Sequence, residues 1–199
     1  MEMMETSVGS SKQSRKAVFL DRDGTLNVEK DYLIEPADFE FIPGVPDALK
    51  KLQQAGFLLV IVTNQSGVAR GYFSLEQVEK LHDHIRGLLE RYGVSIAGIY
   101  VCPHHPTAGR GAYLCDCACR KGKPGMLFEA ARELNIDLSA SFMIGDKLAD
   151  IQAGVAAGCQ TCLVETGYGK DCVRDAEKYG AAIATDLAAA AAKILAQDA

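Results

Sequence analysis

Short apolar runs alternate with helix-like patterns along most of the chain, and this alternation is the feature that most limits its possible folds. Runs of this length bounded by turn residues are typical of buried strands, and strands that alternate with helices pair in parallel. The pattern therefore predicts one α/β domain, a single Rossmann-like parallel sheet with helices on both faces. The predicted strands cover residues 17–20, 57–63, 98–101, 141–144 and 159–164.

Capping residues mark the ends of the predicted helices. Ser74 and Gln77 have the spacing of a capping box, and the apolar positions after them keep a helical period as far as Gly93. Gly56 and Gly158 follow two other helical patterns, at the position where a left-handed residue ends a helix. These signals predict helices over residues 45–55, 74–92, 126–134, 148–157 and 186–196.

Length and charge exclude several classes of protein. A chain of 199 residues can bury a core without disulfides, and we assign residues 1–15 to a disordered leader and 16–199 to one domain. The net charge of −5 opposes non-specific binding to nucleic acid, which needs an excess of Lys and Arg. No apolar run approaches the ~18 residues of a membrane span, and no signal peptide opens the chain. We expect a cytoplasmic monomer that binds neither nucleic acid nor membranes.

Residues 102–123 break the alternation. This stretch holds four Cys, two His, two Pro and three Gly in place of a regular element. A loop of this length inside a compact domain usually serves function or is clamped, and clustered thiols in a reducing compartment indicate metal binding or catalysis before disulfides. The other three cysteines have no partner pattern, and we expect Cys159 and Cys162 to pack in the core.

Acidic residues follow two of the predicted strands. Asp21-Arg22-Asp23-Gly24-Thr25 comes after the first strand, and Gly145-Asp146-Lys147 with Asp150 comes after the fourth. Open parallel sheets place their ligand crevice at the carboxyl ends of the strands, where such carboxylates can bind a divalent cation, attack a substrate or move a proton. The alternatives are an ordinary Asp-Gly turn with solvated acids, and N-capping of the following helix by Asp146.

The second strand ends in Thr63-Asn64-Gln65-Ser66-Gly67. Small hydroxyl and amide donors on a turn of this kind can hold phosphate oxygens without adding charge. The same residues also make a good ordinary loop, so this motif alone is a weak indication.

Together with Arg120-Lys121, these motifs resemble the haloacid dehalogenase-like superfamily in their types and in their order along the chain. The resemblance implies that Asp21 is the nucleophile, that Asp23 is the general acid and base, and that Thr63 and Lys121 stabilise the phosphoryl group. It also implies a catalytic Mg²⁺ held by the Asp21 and Asp146 carboxylates and the Asp23 main-chain carbonyl, with Asp150 behind them. An Asp at position 23 is the mark of phosphoesterases in that superfamily.

Cys102-Pro103-His104-His105-Pro106 and Cys117-Ala118-Cys119-Arg120-Lys121 further resemble the zinc loop of the D-glycero-D-manno-heptose bisphosphate phosphatases and the related histidinol-phosphate phosphatases. That resemblance implies a structural Zn²⁺ bound by Cys102, His104, Cys117 and Cys119, a set that leaves no position for water. The extra Cys115 could replace one of these ligands. Gly122 and Lys123 stand where the family usually has Pro, which predicts a looser loop after Lys121.

The gaps after the first two strands are too short for an inserted cap domain, so we expect an open site bordered by short loops. The family implies a sugar bisphosphate substrate, D-glycero-D-manno-heptose 1,7-bisphosphate, cleaved at the C7 phosphate for lipopolysaccharide precursors. A histidinol-phosphate phosphatase, another small-molecule phosphatase and a non-catalytic binding module are the alternatives. The expected substrate-binding residues are Glu29, Lys30, Asp31, Tyr32, Asn64, Gln65, Ser66, Arg120 and Lys147.

Overall fold

The computed structural model describes residues 14–198 as one six-stranded sheet flanked by helices. All strands are parallel, in the order β3-β2-β1-β4-β5-β6. The predicted fold class is therefore confirmed, with one strand more than expected. The strands are β1 (Ala17–Leu20), β2 (Leu58–Asn64), β3 (Gly98–Cys102), β4 (Phe142–Gly145), β5 (Gln160–Val164) and β6 (Ala182–Ala184).

Seven α-helices accompany the sheet between residues 14 and 198. Because side chains alternate along a strand, Val18 and Leu20 of β1 face one helical layer, while Ala17 and Phe19 face the other. Helices α1, α3 and α7 pack on the first face, and α4 and α5 on the second. The helices are α1 (Val45–Gln54), α2 (Ser66–Arg70), α3 (Leu75–Arg91), α4 (Gly125–Leu134), α5 (Leu148–Ala157), α6 (Gly169–Lys178) and α7 (Leu187–Gln197).

The capping predictions agree with the structure. Ser74 and Gln77 form both hydrogen bonds of the capping box that starts α3. Gly158 adopts the left-handed conformation that ends α5, with φ of 84°. These local signals place the two helices correctly because their hydrogen bonds are made within a few residues.

Three elements were not predicted, and each lacks the pattern that sequence reasoning depends on. Helix α2 has five residues, too few to show a period, and β6 has three. Helix α6 is mostly polar, and its buried residues are Ala176 and, at its start, Gly169. The formation of these three elements therefore depends on tertiary packing rather than on local propensity.

One residue of the predicted leader is hydrogen-bonded to the domain. Arg15, which we assigned to the leader, donates its N–H to the Asn135 carbonyl and pairs with Ile136. Residues 1–13 of the predicted leader lie outside the described residues. No helix between residues 14 and 198 is long and apolar enough to cross a membrane.

The sheet order brings the motif-bearing strand ends together. From β1 the chain continues to β2 and β3 on one side, and later returns to β4 on the other, which creates a topological switch point. The Asp21 N–H donates to the Ile144 carbonyl at 2.9 Å, so the pairing of β1 with β4 extends to the first motif residue. In the described chain, the segment between β1 and α1 contains only a short 3-10 turn, Pro36–Asp38, and no cap domain.

Candidate active site

Three carboxylates from two strand ends and a helix form one buried group, which we call the carboxylate cluster: Asp21, Asp146 and Asp150. Their oxygens lie within 4.8 Å of one another. Each side chain is almost fully removed from solvent. Three like charges at this spacing, with one ammonium beside them, leave a surplus of negative charge that a cation would neutralise.

Lys121 is that ammonium. Its Nζ lies 2.5 Å from Asp21 Oδ1 and 2.8 Å from Asp150 Oδ1. Burial works to lower the pKa of Lys121, but Asp150 and Asp21 outweigh burial and raise it. The side chain therefore stays charged at the centre of the site.

The loop after Lys121 is held firmly, contrary to the looser loop that we expected from Gly122. The Lys121 N–H donates to Asn64 Oδ1, and the Gly122 N–H donates to the Ala149 carbonyl, each at 2.9 Å. Gly122 has φ of 95°, so glycine suits this turn on conformational grounds. The departure from the family's Pro thus leaves Lys121 anchored on both sides.

Asp146 has one oxygen committed and one without a partner. Its Oδ2 accepts a hydrogen bond from the Tyr168 N–H at 2.9 Å, whereas its Oδ1 is buried and unpaired. Burial, followed by the charge of Asp21, raises the pKa of Asp146 to about 8. An unpaired buried carboxylate oxygen beside two other carboxylates is what an oxygen-liganded cation such as Mg²⁺ requires.

Asp146 does not cap α5, so the capping alternative is wrong. Lys147 is the N-cap, and its N–H donates to Asp150 Oδ2 at 3.0 Å. Asp150 therefore uses one oxygen on the helix terminus and the other on Lys121. Both oxygens of Asp150 are therefore bound within the protein, whereas Asp146 keeps one oxygen without a partner.

The Asp23 carboxylate accepts hydrogen bonds from three side chains. Arg22 donates from Nε at 3.1 Å and from Nη2 at 2.7 Å, and Asn27 and Gln65 donate one each. Burial works to raise the pKa of Asp23, but Arg22 and these hydrogen bonds outweigh burial and lower it. Asp23 is thus a well-oriented carboxylate at the edge of the site.

Thr63 and Asp23 share the Gln65 amide, which links the end of β2 to the first motif. Gln65 Nε2 donates to Thr63 Oγ1 at 2.8 Å and to Asp23 Oδ2 at 3.0 Å. A small cavity beside the carboxylate cluster is lined by Asp21, Asp23, Thr63, Asn64, Lys121, Lys147, Ala149 and Asp150. The structure therefore brings all four predicted catalytic residues to one cavity.

An open cleft of about 190 Å³ adjoins this cavity, and most of the predicted substrate residues line it. Lys147 Nζ contacts Glu29 Oε2 at 3.0 Å and lies 4.7 Å from the centre of the Tyr168 ring. Despite burial, Asp146, Asp21 and Glu29 raise the pKa of Lys147. The lining residues of this catalytic cleft are Asp23, Glu29, Asp31, Tyr32, Asn64, Gln65, Ser66, Lys147 and Tyr168.

Two predicted substrate residues point elsewhere. Lys30 Nζ donates to the Asp38 carbonyl at 2.7 Å, and Arg120 Nη1 donates to the His104 carbonyl at 3.0 Å. Neither is among the residues that line the catalytic cleft. Each of these long side chains donates to a nearby backbone carbonyl. The spacing of residues in the sequence does not predict such a contact.

The loop between β5 and α6 belongs to the site and was not predicted. Thr166 Oγ1 donates to the Gly24 carbonyl at 2.6 Å, and Tyr168 OH donates to Asp31 Oδ1 at 3.0 Å. A Cβ on Gly24 or on Gly167 would come within 2.2 Å of Asp146 Oδ2, and both glycines have positive φ. The signal available in the sequence was Thr-Gly-Tyr-Gly, which begins two residues after the end of a strand.

A second group of possible metal ligands lies in the loop after β3. We call it the thiol cluster: Cys102, His104, Cys117 and Cys119, whose ligand atoms lie within 4.8 Å of one another. Five of the six ligand-to-ligand distances run from 3.2 Å, between the Cys117 and Cys119 sulfurs, to 3.8 Å, between Cys102 Sγ and His104 Nδ1. Tetrahedral Zn–S bonds of about 2.3 Å give ligand separations of roughly 3.8 Å, so these four residues fit Zn²⁺.

Cys115 lies outside the thiol cluster, although its spacing left it open as a ligand. Its neighbour Asp116 forms an exposed ion pair with Lys123, at 2.6 Å. Cys159 and Cys162 are buried as expected, and burial raises the pKa of their thiols to about 12 and about 11. These two thiols are therefore unreactive packing groups.

Comparison with known proteins agrees with this geometry. Residues 118–190 match the family model described as HAD-hydrolase-like. A D-glycero-beta-D-manno-heptose-1,7-bisphosphate 7-phosphatase from Pasteurella multocida is 54% identical over 154 residues, which is 77% of this chain and 83% of that protein. The protein of that name from Escherichia coli K12 is 51% identical over 156 residues, 78% of this chain and 82% of that protein.

A solved structure is also similar. The crystal structure of D,D-heptose 1.7-bisphosphate phosphatase from B. bronchiseptica, complexed with magnesium and phosphate, superposes with a TM-score of 0.81 at 37% identity. The match covers 92% of this chain and 99% of that one. The chain is therefore a phosphoric monoester hydrolase of the haloacid dehalogenase-like superfamily, and it belongs to the family of the heptose bisphosphate phosphatases.

Proposed function

We propose that this enzyme removes the C7 phosphate of D-glycero-D-manno-heptose 1,7-bisphosphate through an aspartyl-phosphate on Asp21, in the synthesis of lipopolysaccharide precursors. The observation that carries the proposal is the buried Asp21 carboxylate, held at 2.5 Å by Lys121 next to an unpaired oxygen of Asp146. The relatives named above supply the substrate.

Asp21 attacks the phosphorus with a carboxylate oxygen as the P–O bond to C7 breaks. Lys121 and the Thr63 hydroxyl bind the phosphoryl oxygens, whose spread negative charge is stabilised mainly by such fixed groups. Lys121 is suited to this role because Asn64 and Asp150 hold it in place before substrate arrives. Little reorganisation is needed at the moment of reaction.

Asp23 moves the proton. In the proposed mechanism the Asp23 carboxyl is protonated in the substrate complex and gives this proton to the departing C7 oxygen. The carboxylate left behind then takes a proton from the water that attacks the aspartyl-phosphate. Inorganic phosphate is released, and Asp21 is regenerated.

Mg²⁺ would be held by the Asp21 and Asp146 carboxylates and by the Asp23 main-chain carbonyl, the donor set that this oxygen-rich cluster fits. When bound, it neutralises charge on the phosphoryl oxygens and on the cluster. Zn²⁺ would be held by the thiol cluster, where it fixes the loop that ends in Arg120 and Lys121. Its role there is structural.

The sugar would lie in the catalytic cleft between Glu29, Asp31, Ser66 and Tyr168. We also propose that the single domain covers residues 16–199, with the zinc loop at about 102–123, and that it acts as a cytoplasmic monomer. All seven cysteines are free thiols, as a reducing compartment requires.

Phosphate release in the presence of Mg²⁺ tests the proposal, measured across sugar bisphosphates, histidinol phosphate and nucleotides. We expect the highest kcat/KM for the heptose 1,7-bisphosphate, with heptose 1-phosphate as the product. A higher value for histidinol phosphate would make the enzyme a histidinol-phosphate phosphatase instead.

A further inference from the structure

Arg22 is one of the largest side chains that are fully buried in this protein. It stands between Asp21 and Asp23 in the sequence, yet it is not among the described residues that line the catalytic cleft or the small cavity beside it. A buried charge is costly unless its donors find partners. The partners of the Arg22 guanidinium therefore indicate its role.

One edge of this guanidinium is bonded to the Asp23 carboxylate. Nε donates to Oδ1 at 3.1 Å, and Nη2 donates to Oδ2 at 2.7 Å. Asn27 and Gln65 also donate to Asp23, but each contacts one oxygen. A two-point contact between a planar fork and a carboxylate fixes direction as well as distance. The orientation of Asp23 therefore follows the orientation of Arg22.

The rest of the guanidinium is held by two acceptors from other parts of the chain. Nη1 lies 3.3 Å from His82 Nε2, and Nη2 also donates to the Leu33 carbonyl at 3.3 Å. A guanidinium has donors only, so His82 Nε2 is the acceptor and the proton of the neutral ring is on Nδ1. Burial, followed by the charge of Arg22, lowers the pKa of His82 to about 3, in agreement with a neutral ring.

His82 reaches Arg22 because α3 packs against the sheet. The two residues are 60 positions apart, and the His82 side chain is 5% exposed. Three segments thus meet on one guanidinium: the end of β1, the loop after it, and α3. A group that transfers a proton must lie within hydrogen-bond reach of the reacting oxygen, and small errors in its position are costly.

We propose that His82 is a positioning residue for the reaction. Its Nε2 accepts from Arg22 Nη1 and so fixes the guanidinium whose opposite edge orients the Asp23 carboxyl. This role rests on the proposed function, in which Asp23 transfers the proton. It extends the catalytic machinery from the strand ends to α3, which none of the sequence motifs singled out.

Steady-state kinetics of the full-length enzyme, loaded with Mg²⁺ and Zn²⁺, provide the first test. His82→Leu removes the acceptor, and kcat for heptose 1,7-bisphosphate should fall about tenfold with KM unchanged, because a misplaced acid affects the reaction and not binding. With p-nitrophenyl phosphate, whose leaving group needs little protonation, kcat/KM should fall by less than about twofold. An equal loss on both substrates, or no loss on the bisphosphate, would overturn the positioning role.

His82→Gln is the matched rescue. Its Oε1 can accept from Arg22 Nη1, so kcat for the bisphosphate should stay within about threefold of the wild type. A Gln variant as slow as the Leu variant would overturn the role. His84→Leu makes the same replacement at a partly exposed position of α3, and it should match the wild type on both substrates.

A second variant keeps the test decisive if His82→Leu does not fold. Arg22→Lys retains the buried positive charge but cannot contact both oxygens of Asp23 at once. It should show the same selective loss on the bisphosphate, with p-nitrophenyl phosphate little affected. Thermal unfolding and metal content, measured on each preparation, confirm that the variants compared are folded.

A double-mutant cycle separates failure of this role from failure of the proposed function. In Asp23→Asn, the further change His82→Leu should cause no additional loss on the bisphosphate, because no acid remains to be positioned. Losses that multiply would overturn the positioning role. Wild-type turnover in Asp23→Asn would reject the acid–base role of Asp23, and the role of His82 with it. A loss in Asp23→Asn with none in His82→Leu would reject the role of His82 alone.

Discussion

The carboxylate cluster and the thiol cluster are both built to hold a metal, but the chain assembles them in opposite ways. The carboxylate cluster takes its ligands from the ends of β1 and β4 and from α5, between residues 21 and 150. The thiol cluster takes all four ligands from one stretch, between residues 102 and 119. The first therefore depends on the sheet being formed, whereas the second depends on local chain closure and on its metal.

Lys121 joins the two. It follows the last thiol ligand by two positions, yet its ammonium lies on Asp21 and Asp150. We therefore expect that loss of the thiol cluster displaces Lys121 and so disturbs the carboxylate cluster. Loss of a carboxylate should leave the thiol cluster unchanged.

Asp21→Asn should have the largest effect. It removes the nucleophile but keeps the side-chain volume, so phosphate release should fall by more than about 10⁴-fold while the fold remains intact. Zinc content should be unchanged because the thiol cluster does not use Asp21. A pure, folded variant with wild-type turnover would show that no aspartyl-phosphate forms.

Removal of zinc should rank second. Structural zinc contributes folding free energy directly, so we expect the metal-stripped enzyme to lose several kcal/mol, on the order of 5, and to lose activity with it. The measurements are metal analysis, thermal unfolding and phosphate release on one preparation. Protein purified without chelator should carry one equivalent of zinc.

The choice of thiols can be tested in the same assay. Cys119→Ser should lose zinc and activity, while Cys115→Ser should keep both, since Cys115 lies outside the cluster. The reverse result would exchange the two cysteines as ligands.

Asp23→Asn should lower kcat by about 10²–10⁴-fold, the usual contribution of general acid–base catalysis. The loss should be smaller for p-nitrophenyl phosphate, whose leaving group needs little protonation. Metal content and thermal stability serve as controls, and an equal loss on both substrates would argue against proton transfer to the leaving oxygen.

The dependence of stability on pH should reveal how the first motif is tied to α3. His82 is 5% exposed, its Nε2 lies 3.3 Å from Arg22 Nη1, and burial followed by the charge of Arg22 lowers its pKa to about 3. The unfolded chain gains a proton on this ring below about pH 6.5, whereas the folded chain does not until about pH 3. Stability should therefore fall as pH decreases through that window.

At pH 5 this loss amounts to about 2 kcal/mol. The free energy of unfolding, measured with denaturant at pH 7 and at pH 5, should differ by about 2 kcal/mol less in His82→Gln than in the wild type. His84→Gln, on the same helix, is the control and should keep the wild-type difference. If His82→Gln kept the full pH dependence of the wild type, His82 would not be the group responsible.

Arg120→Ala should have the smallest effect. Arg120 donates to the His104 carbonyl and does not line the catalytic cleft, so we expect a loss of no more than about threefold in kcat/KM for the bisphosphate, with little change for p-nitrophenyl phosphate. A loss that appears in kcat for both substrates would instead indicate that Arg120 acts by positioning Lys121, through its contact with the zinc loop.

The sequence was most informative where chemistry follows a strong local pattern. Asp21 and Asp146 each come directly after a buried strand and Thr63 lies near the end of another, and parallel strands bring such ends to one edge of the sheet. The thiols were equally visible because their spacing is short. By contrast, α6 and β6 carry little apolar periodicity, and the glycines around Tyr168 were the one local sign of the loop that brings it to the site.

The spacing of residues along the sequence also could not predict the direction in which long side chains point. Arg120 stands next to Lys121 in the motif, yet it turns to the His104 carbonyl, while Arg70 and His105 meet across two segments that appear unrelated in the sequence. Hydrogen-bond partners of long side chains depend on which backbone carbonyls come within reach after folding.

Gly24 and Gly167 flank the same carboxylate, and this has a consequence for protein engineering. Neither residue has a side chain that could take part in chemistry, but any larger residue at either position would collide with Asp146. In a saturation-mutagenesis library, these two positions should tolerate as few substitutions as the nucleophile itself. A library aimed at new substrates should therefore leave both glycines fixed and vary Tyr32, Tyr72 and Tyr168, which are exposed at the mouth of the site.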